Sequence, residues 1–298
     1  MIARRVTVMR DFDDAAVRAA VDPAQLIDEV GRCLADLGTG HAAQMSKATL
    51  PIAGGGFFLS VAAVVPRLGL AASKWASYVP GVAGAPGVST SRITVSDGAS
   101  GQGLAIIDGM TATQLRTAAT AVAVAQRFGA GEPASVVFIG FGPTNRAVFD
   151  LLDRLQWVPT SIRIAVRSSA SRDALAATFA HRPQITVTTD VQEAVTGAHL
   201  AFSATGSSAP LAPVELLAAG AVVVSLDGSN TWTSSANTIV IDDRTRASGT
   251  SPVADAFAHE VELRTNPAQQ VLVDVAGSAV TDVALAAILL ADANGGRS

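Results

Sequence analysis

Between Ala134 and Asp150 the chain reads ASVVFIGFGPTNRAVFD, and this stretch limits the possible folds more than any other. Ser135–Ile139 is a short apolar, β-branched run, the pattern of a parallel strand buried on both faces. Gly140, Phe141 and Gly142 follow without a break, then Pro143 and helix-forming residues to about Leu155. Strand, glycine turn and helix make the first turn of a dinucleotide-binding unit. Gly140 permits the tight turn and Gly142 lets the backbone approach a pyrophosphate. The helix N-terminus adds free N–H groups and partial positive charge. The third small residue of the usual fingerprint is missing. Asn145 stands there, giving G-x-G-x-x-N. Gly140, Gly142, Pro143, Thr144 and Asn145 are the candidate cofactor contacts of this turn. An ordinary strand–helix turn has the same outline, so the turn takes its weight from the rest of the chain.

Past this helix the alternation continues. Ser161–Val166, Ile185–Thr188, His199–Ser203, Val222–Leu226 and Ile239–Ile241 read as strands, and Ser171–Phe179 and Val191–Val195 as helices. A βαβ succession predicts an α/β fold with a doubly wound parallel sheet of Rossmann type, whose ligands bind at the carboxyl ends of the strands. Cofactor contacts are therefore expected at Ala204, Thr205 and Gly206 and, in the Asp227-Gly228-Ser229-Asn230 loop, at Ser229; Thr117 and Gly277 are further candidate cofactor contacts. The second strand ends in Arg167-Ser168-Ser169. No acid stands there to accept both ribose hydroxyls, whereas an arginine and two hydroxyls suit a 2′-phosphate. The reading is NADP(H) in preference to NAD(H), with NAD(H) the alternative if Arg167 only stacks on adenine.

The first part of the chain has another rhythm. Asp22-Pro23-Ala24-Gln25 is a helix start, and Leu26, Ile27, Val30, Cys33, Leu34 and Leu37 recur at helical spacing. Lys47–Ile107 is β-like, with Gly and Pro turns suggesting a mostly antiparallel sheet; Asp97-Gly98 and Asp108-Gly109 read as turns. Met110–Gly129 is an Ala-rich helix carrying Arg116 and Thr117, and Gln270–Gly295 reads as strand, Gly-Ser break and apolar helix. The chain is 49% hydrophobic and 15% charged, with a formal net charge of −4 and no basic cluster. Nucleic acid is thereby a poor partner. No run approaches the ~20 apolar residues of a membrane span, and the N-terminus lacks the apolar core of a signal peptide. A cytoplasmic location is expected. One cysteine and four scattered histidines offer no metal-ligand spacing, so no metal is expected. Of 21 basic side chains only Lys47 and Lys74 are lysines. A lysine in so arginine-rich a chain hints at a role that a guanidinium cannot fill.

These pieces, in this order, resemble the ornithine cyclodeaminase and μ-crystallin family. The matching stretches are SKWASYVPG with Lys74, GLAIIDGMTATQLRTAAT with Arg116 and Thr117, FIGFGPTNR, SATGSSAP, and AGSAVTD with Asp282. The Lys-Trp-x-Ser pattern and the G-x-G-P-x-N turn are most similar to the branch that makes 2,3-diaminopropionate. The resemblance implies a Rossmann domain, residues 116–274, and a dimerisation and substrate domain built from residues 1–115 and 275–298. It implies a homodimer. It also implies an NAD(P)-dependent oxidoreductase acting on a C–N bond of a small amino or imino acid. Lys74 and Arg116 would bind the substrate carboxylate, with Lys74 also a proton-relay candidate, and Lys47 stands where the family has a carboxylate-binding arginine. Asp227 is the candidate catalytic acid. Either its loop shifts so that it reaches the substrate amine, or it serves its turn only, which disfavours ornithine cyclodeamination. A redox-neutral cyclodeaminase and a μ-crystallin-like NADP(H)-binding protein with little turnover are the alternatives.

Overall fold

The computed structural model describes residues 9–81, 87–129, 133–157, 159–227, 231–243, 251–259 and 264–295. They divide into two compact units, one within Met1–Arg116 and Ser278–Ser298, the other within Thr117–Arg246 and Ser251–Gly277.

The first unit begins with β1 (Arg10–Phe12), α1 (Asp14–Ala20) and α2 (Pro23–Gly38). Asp22 caps α2 by accepting from the Gln25 N–H at 2.8 Å, with Pro23 in the first turn. The apolar stripe of α2, Cys33 included, is buried. β2 (Ala43–Gln44), β3 (Ala48–Ile52), β4 (Gly56–Val65), β5 (Leu70–Val79), β6 (Val88–Asp97) and β7 (Gly103–Asp108) follow. The sheet runs β1-β7-β6-β5-β4-β2, with β3 also on β4. All of its pairs are antiparallel except β1 with β7. β1 and α1, which are too short to show a period, were not legible in the sequence. Asp97-Gly98 is a turn, with Asp97 Oδ1 accepting from the Ser100 N–H at 2.7 Å. Asp108-Gly109 is not a hairpin turn: the chain passes straight from β7 into α3 (Gly109–Arg127). The unit boundary falls within α3, after Arg116.

Alternation along the strands separates two faces of this sheet. Val61, Lys74, Ile93 and Ile107 stand in one row across β4, β5, β6 and β7, and all four are buried. Against β4 and β5 packs the last helix of the chain, whose residues run from Val280 to Gly295. Trp75, next to Lys74 and so on the opposite face, is 48% exposed and stacks on Phe58 at 5.5 Å.

The second unit alternates: β8 (Ser135–Ile139), α4 (Pro143–Arg154), β9 (Ser161–Ala165), α5 (Ser169–Thr178), β10 (Ile185–Thr188), α6 (Val191–Val195) and β11 (Leu200–Ser203). Then come β12 (Ala212–Pro213), β13 (Val222–Ser225), β14 (Trp232–Thr233), β15 (Ile239–Asp242), α7 (Pro252–Ala258) and β16 (Val271–Asp274), with α8 (Val280–Gly295) returning to the first unit. The main sheet is ordered β10-β9-β8-β11-β13-β16-β15, and every pairing is parallel. From β8 the chain winds outward through β9 to β10, then crosses back to β11 and winds the other way. The fold is a doubly wound α/β sheet with its switch point between β8 and β11. The wholly buried strands β11, β13 and β16 explain the unbroken apolar runs in the sequence.

Candidate functional site

The glycine turn sits at that switch point. Gly140 has φ +75°, and a Cβ there would stand 2.5 Å from the Ala204 carbonyl oxygen. Only glycine meets both demands. Gly142 caps α4 with φ −76°, and a Cβ on it would meet nothing within 4 Å. The turn is pinned by Phe141, which is buried and packs edge-on against Phe138, Phe149 and Phe179 with centroids 5.7, 5.7 and 6.0 Å apart. Asn145 does not face a ligand with its side chain. It is fully buried, and Nδ2 donates to the carbonyls of Ile139, Gly140 and Phe202 at 3.1, 2.7 and 3.3 Å. The amide replaces a small residue by tying α4 to the ends of β8 and β11.

A cleft of about 980 Å³ opens at the carboxyl ends of β8, β9, β10 and β11. Its walls include Gly140, Gly142, Arg167, Ser168, Ala204, Thr205 and Gly206, so residues expected to bind a cofactor from three separate stretches of sequence meet here. Ser168 caps α5 through Ser171, with Oγ accepting from the Ser171 N–H at 3.2 Å and donating to Ser171 Oγ at 2.9 Å. Sequence reading missed Arg146, Ser171, Ser207 and Ser208, which also line the cleft. Arg146 lies one residue beyond the fingerprint, a basic side chain at the start of a helix, and that position was the available signal. Its Nε donates to the Phe141 carbonyl at 3.1 Å and its guanidinium lies 5.2 Å above the Phe141 ring. Among the described residues no carboxylate lines this cleft. Pro143, Thr144 and Ser169, in the first turns of α4 and α5, and Thr117 and Gly277 are not among the residues that line it. Ser229 falls outside the described residues.

Asp227 follows β13 and is turned toward the loop after β11. One oxygen accepts from the Thr205 N–H, from Thr205 Oγ1 at 2.8 Å and from the Gly206 N–H at 3.1 Å. The other lies within 3.5 Å of the hydroxyls of Ser203 and Ser225. A carboxylate so supplied with donors staples the 204–206 loop, the arrangement that the turn-residue alternative for Asp227 describes.

In the first unit the structure brings together Lys74, Arg116 and Asp282. Lys74 Nζ donates to Asp282 Oδ1 at 3.0 Å and lies 2.9 Å from Oδ2, while Arg116 Nε is 3.0 Å from Oδ1. The second and third contacts are ionic approaches at angles outside hydrogen-bond geometry. All three residues are buried. Burial, and next the charge of Arg116, push the Lys74 ammonium down to about 8, against the upward pull of Asp282. Lys47, exposed just before β3, is near enough to lower it further. Asp282 had no role in the sequence reading. An acidic residue in the first turn of a mostly apolar helix was the signal for it.

A family profile described as the ornithine cyclodeaminase/mu-crystallin family matches residues 5–235. The Delta(1)-pyrroline-2-carboxylate/Delta(1)-piperideine-2-carboxylate reductase of Azospirillum brasilense is 28% identical over 175 residues, 58% of this chain and 54% of that enzyme. The matched part thus spans about half the length of this curated relative. Among solved structures, a probable ornithine cyclodeaminase from Bordetella pertussis Tohama I superposes with a TM-score of 0.79 at 22% identity, covering 97% of this chain and 98% of that one. The Thermococcus litoralis Delta(1)-pyrroline-2-carboxylate reductase, in complex with NADH and L-proline, gives a TM-score of 0.81 at 17% identity, covering 97% of this chain and 98% of that chain. At such identities the superpositions establish the shared fold. With the profile spanning most of the sequence, the chain belongs to the ornithine cyclodeaminase/mu-crystallin family.

Proposed function

We propose that this protein is an NADP(H)-dependent reductase of a small imino acid. The observation that carries the reading is the cleft at the switch point, lined by Arg146 and Arg167 and, among the described residues, by no carboxylate. A nicotinamide dinucleotide fits its walls: Gly142 leaves open space where a pyrophosphate would meet the start of α4, and two guanidiniums with Ser168 suit a ribose 2′-phosphate. When bound, the reduced cofactor supplies a hydride to the imine carbon, and a proton goes to the nitrogen. NADH in the Thermococcus reductase supports a nicotinamide cofactor; the preference for the phosphorylated form rests on the two arginines.

The two units divide the labour. The second unit, which begins at Thr117 and ends at Gly277 rather than spanning the 116–274 expected from the family pattern, holds the cofactor. The first, from residues 1–116 and 278–298, holds the substrate, whose carboxylate is clamped by Lys74 and Arg116, with Lys47 adding its field. Asp227 positions the 204–206 loop. With its oxygens so engaged, it is a poor base for the amine of ornithine, which favours imine reduction over cyclodeamination. The Azospirillum relative, named for reducing cyclic imino acids, points to the same substrate class. We also infer a homodimer, with a second copy covering the open face of the first sheet, where Trp75 is 48%, Leu50 59% and Val88 60% exposed.

Steady-state assays with NADPH or NADH and a panel of cyclic and open-chain imino acids test the proposal. The expected result is consumption of NADPH in preference to NADH, one equivalent per amino acid formed. Release of ammonia without net cofactor consumption would replace it with the cyclodeaminase reading. Tight NADPH binding with no turnover on any of the panel would replace it with the binding-protein reading.

A further inference from the structure

We infer that Asp282 is a positioning residue: it fixes the ammonium of Lys74 and the guanidinium of Arg116 at one point and keeps Lys74 charged for the substrate carboxylate. The inference rests on the reading of Lys74 and Arg116 as the carboxylate clamp. The geometry supports it element by element. Lys74 points from the middle of β5 into an apolar row, with Val61 on one side and Ile93 on the other. In such surroundings an amine sheds its proton. Arg116 comes from α3 and Lys47 from the segment before β3, both positive, and both push in the same direction. Asp282 is the countervailing group. It enters from the first turn of α8, where the helix N-terminus favours a negative charge, and its carboxylate approaches Nζ at 2.9–3.0 Å and Arg116 Nε at 3.0 Å. One carboxylate therefore sets both the direction of two cations and the protonation of one of them.

With only two lysines in the chain, selective 13Cε-lysine labelling gives two side-chain signals, and a Lys47→Arg variant assigns them. The experiment follows the Lys74 signal against pH in the full-length wild type and in Asp282→Asn. Alongside it, the pH profile of kcat/KM is measured with NADPH and Δ1-pyrroline-2-carboxylate as the probe substrate. The expected midpoint is near 8 in the wild type. In Asp282→Asn it falls by about one pH unit or more, as for loss of an opposite charge at contact distance. The alkaline limb of kcat/KM moves down with it, and Asp282→Glu restores most of both. If Asp282 only held α8 in place, Asp282→Asn would lower the melting temperature and leave the Lys74 midpoint unmoved, and that result would overturn the inference. Should Asp282→Asn fail to fold, Arg116→Gln reads the same cluster with the opposite sign. Its Lys74 midpoint rises, and an unmoved midpoint there overturns the inference equally. A wild type that turns over no imino acid would refute the functional reading, while the lysine titration would still decide this one.

Discussion

Asn145 Nδ2 lies 2.7 Å from the carbonyl oxygen of Gly140, the residue at which the chain turns out of β8 with φ +75°. The fingerprint's third position normally stays small so that helix and strand can pack closely. Here the helix is held by a hydrogen-bonded amide instead. Asn145→Ala removes three donated contacts from a fully buried site, leaves those carbonyls short of a partner, and should cost about 1–3 kcal/mol. Asn145→Asp sets carboxylate oxygen against carbonyl oxygen and should cost more than the alanine variant. Urea denaturation of the two variants checks the order; an aspartate variant as stable as the alanine one would contradict the assignment.

The two glycines of the turn make opposite predictions. Gly140→Ala forces a side chain into the left-handed region, about 1–2 kcal/mol by itself, and into the Ala204 carbonyl, so it should lose stability. Gly142→Ala meets open space at an ordinary φ. It should fold as the wild type does yet bind NADPH more weakly, because on the proposed function the new methyl would stand where the pyrophosphate approaches. Denaturation and NADPH titration of both variants separate the effects. Unchanged NADPH affinity in Gly142→Ala would remove the pyrophosphate from that position.

Arg167 and Arg146 should discriminate between cofactors. Each charge-assisted contact to a 2′-phosphate is worth about 1.5–3 kcal/mol, roughly tenfold to over a hundredfold in Kd. Calorimetric titration of Arg167→Ala and Arg146→Ala should show that loss for NADPH and little change for NADH. A parallel loss for both cofactors would assign the arginines to adenine or to the pyrophosphate.

Lys74 gives the protein a pH dependence of definite sign. Its folded pKa, about 8, is below the ordinary 10.5. Between those values the unfolded chain holds a proton that the native chain has released, so this group's contribution to stability rises with pH through that window. Below 8 the buried charge opposes folding in full. Substrate binding should run the other way: the proposed clamp would lose a charge above about 8, and KM should rise there with kcat less affected. The difference in melting temperature between wild type and Lys74→Met, followed through this window, checks the first. KM against pH checks the second, and a KM flat through pH 8 to 10 would detach Lys74 from the substrate.

Cys33 is a ready probe of native-state opening. Burial, and then the charge of Glu29, push its thiol up to about 12, and it is fully buried. It should react with a thiol reagent only when the first unit opens, at a rate that climbs with denaturant. Fast labelling under native conditions would show that α2 opens on its own.

The fold was legible because periodicity and glycine placement are local. The Rossmann alternation, the antiparallel stretch and α2 with its cap could all be read from a dozen residues at a time. The cleft was legible where it follows from backbone geometry, at the Gly140 and Gly142 turn and in the loops after β9 and β11. What a polar side chain does depends on which partner the fold delivers to it. Asn145 was read as ligand-facing and Asp227 was left with two roles open, because nothing in the sequence places the carbonyls of Ile139 and Phe202 around the one or the N–H groups of Thr205 and Gly206 around the other. Asp282 was named in a matching stretch but given no role for the same reason, since its partner Lys74 lies 208 residues away along the chain.

Imine reduction by hydride transfer is decided by tracing one hydrogen. NADPH deuterated at C4, prepared separately in each stereochemical form, is incubated with the full-length protein and Δ1-pyrroline-2-carboxylate, and the product is examined by mass spectrometry and NMR. The expected product is proline carrying one deuterium at Cα, delivered from one form of the cofactor and not from the other. Product without deuterium from either form, or no product at all across the imino-acid panel while NADPH binds, would refute the reductase.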